Sequence, residues 1–142
     1  MRGIALLMYE RDLVCHFSSV LGDLEIYYID EKTGSFNIVD KFDGAVFARN
    51  DSEILDMYEG DDVDNILTYF DGPILPECYG FDYRSNDQSR VLLHRVLITL
   101  VGTDKILIDD DCGDIFELKD EADIIRALDA QDIGWKQHET SQ

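Results

Sequence analysis

The densest group of side chains that could do chemistry is the run Asp109-Asp110-Asp111-Cys112-Gly113-Asp114, with Glu117 shortly after it. Carboxylate oxygens in such number suit a calcium ion. Counting from Asp109, however, Gly113 comes one position too early for a helix-flanked calcium loop, and Asp120 stands where such a loop ends in Glu. The flanking segments also have strand character. We therefore expect a charged hairpin turn here, with a divalent-ion site as the minor alternative.

A second acidic group, Asp61-Asp62-Val63-Asp64, raises the same question for magnesium and phosphoryl chemistry. Metal-dependent nucleases usually also place basic groups near the phosphate, and this stretch has none. We expect the three carboxylates to begin a solvated helix, where the helix dipole favours negative charge. They remain available for binding a partner.

Cysteine and histidine do not form a recognisable catalytic or zinc pattern in this sequence. Cys15, Cys78 and Cys112 are odd in number and widely spaced, which argues against a disulfide framework and favours buried structural thiols. No zinc spacing or nucleophile motif joins them to a histidine. A pair made by folding, such as Cys78 with His94, is the one alternative left open. We predict that the chain is not an enzyme and that it needs no cofactor or metal.

Charge is the dominant property of the chain. It carries 31 acidic and 12 basic residues in 142, a formal net charge of -19, and no Lys or Arg occurs between Arg49 and Arg84. Such a field repels nucleic acid and anionic membranes and attracts cationic partners. Because tyrosines beside carboxylates are common at interfaces, we include two of them in the predicted contact. The predicted contact residues are Asp51, Glu53, Asp56, Tyr58, Glu59, Asp61, Asp62, Asp64, Tyr69 and Asp71, with Asp109, Asp110, Asp111 and Asp114 as the fallback patch.

The first half of the chain predicts a helix, a meander and a further helix. An apolar stripe predicts a helix over 10–21, whereas residues 4–8 fit either its extension or a separate strand. Strands over 24–29, 35–42 and 45–48 are joined by a turn at 31–34 and by Asp43-Gly44. Asn50 and Glu53 have the spacing of a capping box, which predicts a short helix before the helix that starts near Asp61.

The second half begins with a long segment over 72–90 that is predicted as irregular, with Tyr79, Phe81 and Tyr83 at alternating positions. Loops of this length are uncommon unless they carry function or short strands. A helix over 91–101, a hairpin formed by 105–109 and 115–118, and a helix capped by Asp120 follow. A strand over 91–101 is the alternative to that helix. Hairpins and helices in separate runs indicate an α+β fold, with an antiparallel sheet packed against several helices. We expect one domain over 1–135 and a frayed polar tail over 136–142. No secretory or membrane-spanning segment is recognisable, which predicts a soluble cytoplasmic protein.

These features favour a non-catalytic acidic protein that neutralises a basic protein partner. Bacterial immunity proteins, which inhibit toxins such as nucleases, share this general profile, although no motif in the chain identifies such a family. One alternative is a DNA mimic that blocks a DNA-binding or host-defence protein. Another is a metal-binding domain or enzyme that uses the carboxylate clusters. No direct binding of nucleic acid or membrane is expected.

Overall fold

A computed structural model describes residues 2–51 and 58–140. Over these residues the chain forms seven strands and four helices in a single α+β domain, which confirms the predicted fold class. The elements are β1 (Arg2–Met8), α1 (Leu13–Val20), β2 (Glu25–Asp30), β3 (Ser35–Val39), β4 (Ala45–Asp51), α2 (Asp61–Tyr69), β5 (Glu77–Tyr83), α3 (Asp87–Ile98), β6 (Ile106–Asp109), β7 (Ile115–Glu117) and α4 (Glu121–Thr140).

All seven strands belong to one antiparallel sheet in the order β2-β3-β4-β5-β1-β6-β7. The predicted meander and C-terminal hairpin are both present, and β1 and β5 join them into one sheet. Residues 4–8 therefore form a strand and do not extend α1. Ile4 lies opposite Phe81 in β5, and Leu6 lies opposite Ile108 in β6. This central position explains why β1 is apolar on both faces.

The two faces of the sheet are covered differently. On one face, Leu6 and Phe81 pack in the main core with Phe17 of α1, Leu93 of α3 and Leu128 of α4. On the other face, Ile66 of α2 and the following Phe70 pack in a smaller cluster with Leu7, Cys78 and Leu107 of the sheet. The sheet thus separates a three-helix layer from a face that carries the acidic helix α2.

Side-chain caps set the starts of two helices in the main layer. Asp12 accepts a hydrogen bond from the backbone N–H of Cys15 at 3.0 Å, and Asn86 accepts one from that of Ser89 at 2.8 Å. Helix α1 is therefore shorter than predicted. Helix α3 confirms the helix predicted over 91–101 but begins earlier, at Asp87.

Two predictions for the middle of the chain were wrong in detail. Asn50 does not cap a helix, because β4 continues to Asp51 and Asn50 lies opposite Tyr79. The short helix predicted after Asn50, with Glu53 and Asp56, lies outside the described residues, and so does the side chain of Asp51. The segment predicted as irregular contains β5, in which Tyr79, Phe81 and Tyr83 alternate toward the main core.

Helix α4 runs to Thr140, through most of the segment predicted as a frayed tail. Within the described part of the chain, every helix is too short or too polar to cross a membrane.

Candidate partner-binding surface

Helix α2 is amphipathic, and its polar side carries three of the predicted contact residues. Ile66 is buried against the sheet, whereas Asp61, Asp62 and Asp64 of its first turn are exposed. Gly60 precedes the helix with a φ of 57° and offers no side-chain cap, so the three carboxylates are the groups that complement the positive end of the helix dipole. Glu59 and Asp71, at the two ends of the helix, are also exposed. None of these five acids forms an ion pair within the described part of the chain.

The two predicted contact tyrosines are half-buried and connect α2 to the sheet. The hydroxyl of Tyr58 donates a hydrogen bond of 2.7 Å to Oδ2 of Asp109 at the end of β6. Burial, followed by this contact with Asp109, raises the pKa of Tyr58 well above its ordinary value. The Tyr69 ring packs edge-on against Phe70, with ring centroids 5.0 Å apart. Burial and then the nearby carboxylate of Glu117 raise the pKa of Tyr69 to about 12.

These contacts bring the predicted contact segment and the fallback patch together. Tyr58 reaches β6 and Tyr69 lies near Glu117 of β7, so α2 lies over the hairpin that carries the second acidic run. The two patches, separated by about forty residues in the sequence, therefore lie close together near one edge of the sheet. We call the part on the α2 side the acidic surface, and it comprises Glu59, Asp61, Asp62, Asp64, Asp71, Asp109, Asp111 and Glu117. Asp114 lies on the side of α4, 3.6 Å from Arg126.

Asp110 belongs to the hairpin but not to its surface. It is only 1% exposed, and its Oδ1 accepts hydrogen bonds from the backbone N–H groups of Cys112 at 2.8 Å and Asp114 at 3.1 Å. Its backbone carbonyl accepts a further bond from the amide of Gln131. Asp110 therefore shapes the turn, and the other three predicted acids of the hairpin carry its charge.

Asp111 shows the effect of crowding these charges. It adopts a left-handed backbone conformation with a φ of 57°, and its backbone N–H donates a 2.9 Å hydrogen bond to Asp109. Burial, followed by repulsion from Asp109, Asp110 and Asp82, raises its pKa. Asp82 was not assigned to the site from the sequence. The alternation of Tyr79, Phe81 and Tyr83 was the signal that would have placed it on the opposite face of β5.

Folding brings three cations from other parts of the chain close to the two acidic runs or to Asp82. Lys105 donates a hydrogen bond of 3.2 Å to the carbonyl of Tyr69 and lies 5.6 Å from the centre of its ring. Arg126 lies 3.6 Å from Asp114, and Arg49 forms an ion pair with Asp82. The three cations contact Tyr69, Asp114 and Asp82, and the acids of α2 remain without a positive partner among the described residues.

Two of the alternatives from the sequence can be compared with the described residues: a carboxylate metal site and the Cys78–His94 pair. Across residues 2–51 and 58–140, no three His, Cys, Asp or Glu side chains are placed to hold a metal ion. Cys78 lies in the cluster under α2, whereas Nε2 of His94 on α3 lies 3.0 Å from Glu121, so the sheet separates this pair. Cys78 is buried as expected, but Cys15 and Cys112 are exposed, which corrects the prediction that all three are buried.

Comparisons of the chain with protein-family models, with curated proteins and with solved structures find no match in any of the three.

Proposed function

We propose that this chain is a non-catalytic binding protein that uses the acidic surface to neutralise a basic protein partner, in the manner of an immunity protein to a nuclease-type toxin. The observation that supports this proposal most strongly is the hydrogen bond from Tyr58 to Asp109. It joins the α2 segment to the hairpin, so that acids from two distant parts of the sequence share one surface.

Electrostatics gives such a surface a clear use. Exposed carboxylates of one sign raise the rate of encounter with a cationic partner and repel anions. A nuclease active site must attract phosphates, so it presents positive charge. Carboxylates on a rigid helix and hairpin can occupy the positions of those phosphates and exclude the substrate.

The structure also explains how the protein tolerates this concentration of charge. Helix α2 is held from below by Ile66 and Phe70, and Tyr9 donates a 2.6 Å hydrogen bond to the carbonyl of Phe70. The acids of its first turn gain from the helix dipole. The repulsion among them is thus offset by packing and not by ion pairs, which leaves the charge available to a partner.

The test begins with affinity capture of the partner from the cells that make the protein, followed by mass spectrometry. Association rates are then measured at several salt concentrations for the natural chain and for the triple variant Asp61→Asn, Asp62→Asn, Asp64→Asn. We expect the variant to associate roughly tenfold more slowly at low salt, with a weaker dependence on salt.

The matched control removes three exposed charges elsewhere, through Asp43→Asn, Asp87→Asn and Glu121→Gln. A control that slows association as much as the α2 variant would show that net charge matters and the acidic surface does not. Co-expression with the captured protein provides the functional readout, because an inhibitor of a toxin restores growth. A captured DNA-binding protein that is not toxic but loses its DNA in competition would instead support a DNA mimic.

A further inference from the structure

Strand β2 forms one edge of the sheet and presents large apolar side chains along it. Its only neighbour among the described strands is β3, so the outer backbone groups of β2 face no other strand there. Tyr27, Tyr28 and Ile29 are 48%, 43% and 56% exposed. Proteins usually protect such an edge, because it is a ready template for pairing with another chain.

A second copy of this chain is a poor occupant of the edge. Glu25, Asp30 and Glu31 flank the apolar residues, and all three are exposed. A two-fold antiparallel pairing centred on Tyr27 or Tyr28 brings Glu25 of one copy close to Glu31 of the other, and like charges on neighbouring strands destabilise a sheet. A net charge of -19 on each copy adds repulsion. The same charges favour a strand that carries Lys or Arg.

A groove beside the edge supports this choice of occupant. It has a volume of about 530 Å³ and lies between the turn at 31–34 and the start of α1. Glu10, Asp12 and Glu31 line it, together with Tyr28. Lys32 is also at the groove, as is Arg11, but the guanidinium of Arg11 is engaged with Thr103 at 3.0 Å and His16 at 3.1 Å.

The groove and the edge lie on a common face. Tyr28 is opposite Phe36 in β3, and both side chains line the groove beside α1. Alternate side chains of a strand added to β2 would point to this same face. Asn50 also lines the groove, and its Oδ1 is buried without a hydrogen-bond partner in the described part of the chain. The groove thus offers acceptors to a cationic side chain.

We propose that β2 binds an extended, basic segment of the partner by strand addition, with a Lys or Arg side chain of that segment in the groove. The choice of a basic partner rests on the proposed function. Strand addition supplies affinity through backbone hydrogen bonds, and the groove supplies selectivity through one side chain. The contact lies at the opposite edge of the sheet from the β6–β7 hairpin, about 29 Å away for strands spaced about 4.8 Å apart.

The experiment uses the full chain labelled with ¹⁵N and three short synthetic peptides. The first alternates Lys and Val, the second replaces each Lys with Glu, and the third repeats the first with methylated backbone nitrogens. We expect the Lys–Val peptide to shift the amide signals of residues 25–30 and slow their hydrogen exchange. The Glu–Val peptide should cause no shifts, and the methylated peptide should bind at least tenfold more weakly, because it cannot donate to a neighbouring strand.

Variants of the groove test the side-chain part of the proposal without touching the backbone of β2. Glu10→Gln with Glu31→Gln should weaken binding of the Lys–Val peptide several-fold, whereas Asp43→Asn with Asp87→Asn, which removes two charges elsewhere, should not. Equal binding of the methylated and unmethylated peptides would overturn the proposal. So would shifts of residues 25–30 that depend on protein concentration without peptide, because they would show pairing between copies.

The outcome separates this inference from the proposed function. Peptide-induced shifts confined to residues 58–71 and 109–117 would overturn strand addition and leave the acidic surface as the cation-binding site. Shifts at 25–30 together with partner association that is insensitive to Asp61, Asp62 and Asp64 would support strand addition and contradict the proposed role of the acidic surface.

Discussion

The hydroxyl of Tyr58 donates a 2.7 Å hydrogen bond to the carboxylate of Asp109, although the two residues are 51 positions apart in the chain. Both side chains are half-buried, and the bond connects the segment before α2 to the end of β6. A hydrogen bond to a charged acceptor contributes more to stability than a neutral one. This contact, together with the apolar cluster that joins Ile66 to Leu107, holds the two acidic runs close to each other.

The first prediction concerns this contact. Tyr58→Phe should lower the free energy of unfolding by about 1–2 kcal/mol, because Asp109 loses a donor at a half-buried position. Tyr9→Phe is the matched control, since it removes a neutral hydrogen bond to the carbonyl of Phe70 and should cost about 0.5–1 kcal/mol. Urea denaturation measures both. Equal costs for the two variants would show that the charge of Asp109 adds nothing to the bond.

The second prediction concerns the repulsion at Asp111. Its pKa is raised in the folded chain, so its ionised form is less favourable there than in the unfolded chain. The contribution of Asp111 to stability is therefore greatest below the pKa that this group has in the unfolded chain. It decreases as the pH rises through the pKa of Asp111 in the folded chain. Asp111→Asn should therefore stabilise the protein at neutral pH, with a gain that shrinks at acidic pH and at high salt.

Asp43→Asn is the control for backbone conformation. Asp43 also has a positive φ, 66°, and gains as much as Asp111 from the tolerance of Asn for left-handed geometry. Asp111 lies among other carboxylates that raise its pKa, whereas Asp43 lies 3.4 Å from the guanidinium of Arg84. Thermal denaturation at two pH values should show a pH-dependent gain for Asp111→Asn alone. The same gain in both variants would attribute the effect to the backbone.

The third prediction concerns alkaline stability. The pKa values of Tyr69 and Tyr83 are raised to about 12, and that of Tyr58 is raised further, in each case chiefly by burial. The folded chain therefore holds phenol protons that the unfolded chain releases near pH 10. These tyrosines should leave stability unchanged below about pH 10 and reduce it progressively between about pH 10 and 12. Phenolate absorbance followed alongside circular dichroism measures this, and phenolate formation near pH 10 with intact structure would contradict it.

The fourth prediction separates the structural role of Asp110 from a role in binding. Asp110→Ala should cost about 1–3 kcal/mol, because it leaves the N–H groups of Cys112 and Asp114 without their acceptor. Asp110→Asn keeps a carbonyl oxygen and should cost less. Neither change should alter the association rate of the folded protein as much as the loss of exposed charge on α2. If Asp110→Asn slowed association as much as the loss of the α2 charges while leaving the free energy of unfolding unchanged, Asp110 would belong to the contact.

The fifth prediction concerns Lys105, which precedes β6 and contacts the C-terminal end of α2. Lys105→Met removes a donor to the carbonyl of Tyr69 and a favourable charge at the C-terminus of the helix, and should lower stability by about 0.3–1 kcal/mol. It should also increase the association rate with a basic partner, because one positive charge leaves the acidic surface. Lys41→Met, in the turn between β3 and β4, is the control and should change neither strongly. A lower association rate for Lys105→Met would contradict the steering role of this surface.

Local patterns in the sequence were sufficient for the elements whose signals are short in range. The turns at 31–34 and Asp43-Gly44, the apolar stripe of α2 and the cap at Asp120 each depend on residues within a few positions of one another. Their physical causes are backbone conformation, helix periodicity and capping, and all of these act locally. The α+β class followed from the order of these elements.

The tertiary structure alone decided the strands without a local signature. The residues of β1 are apolar on both faces, so periodicity did not distinguish a strand from an extension of α1, and only pairing with β5 and β6 settles the question. Strand β5 lies between turn-rich segments and was predicted as irregular, although it pairs with both β1 and β4. Register in a sheet is a non-local property, which a local pattern does not contain.

The same division applies to the candidate site. The sequence by itself determined that the chain is strongly acidic, where the two acidic runs lie and that the first turn of α2 is anionic. Only the folded chain could place those runs side by side, bury Asp110 while exposing Asp111, and bring Asp82 and Lys105 to the same region. The reason is physical: charge is a property of residues, whereas a surface is a property of distances between residues far apart in the chain.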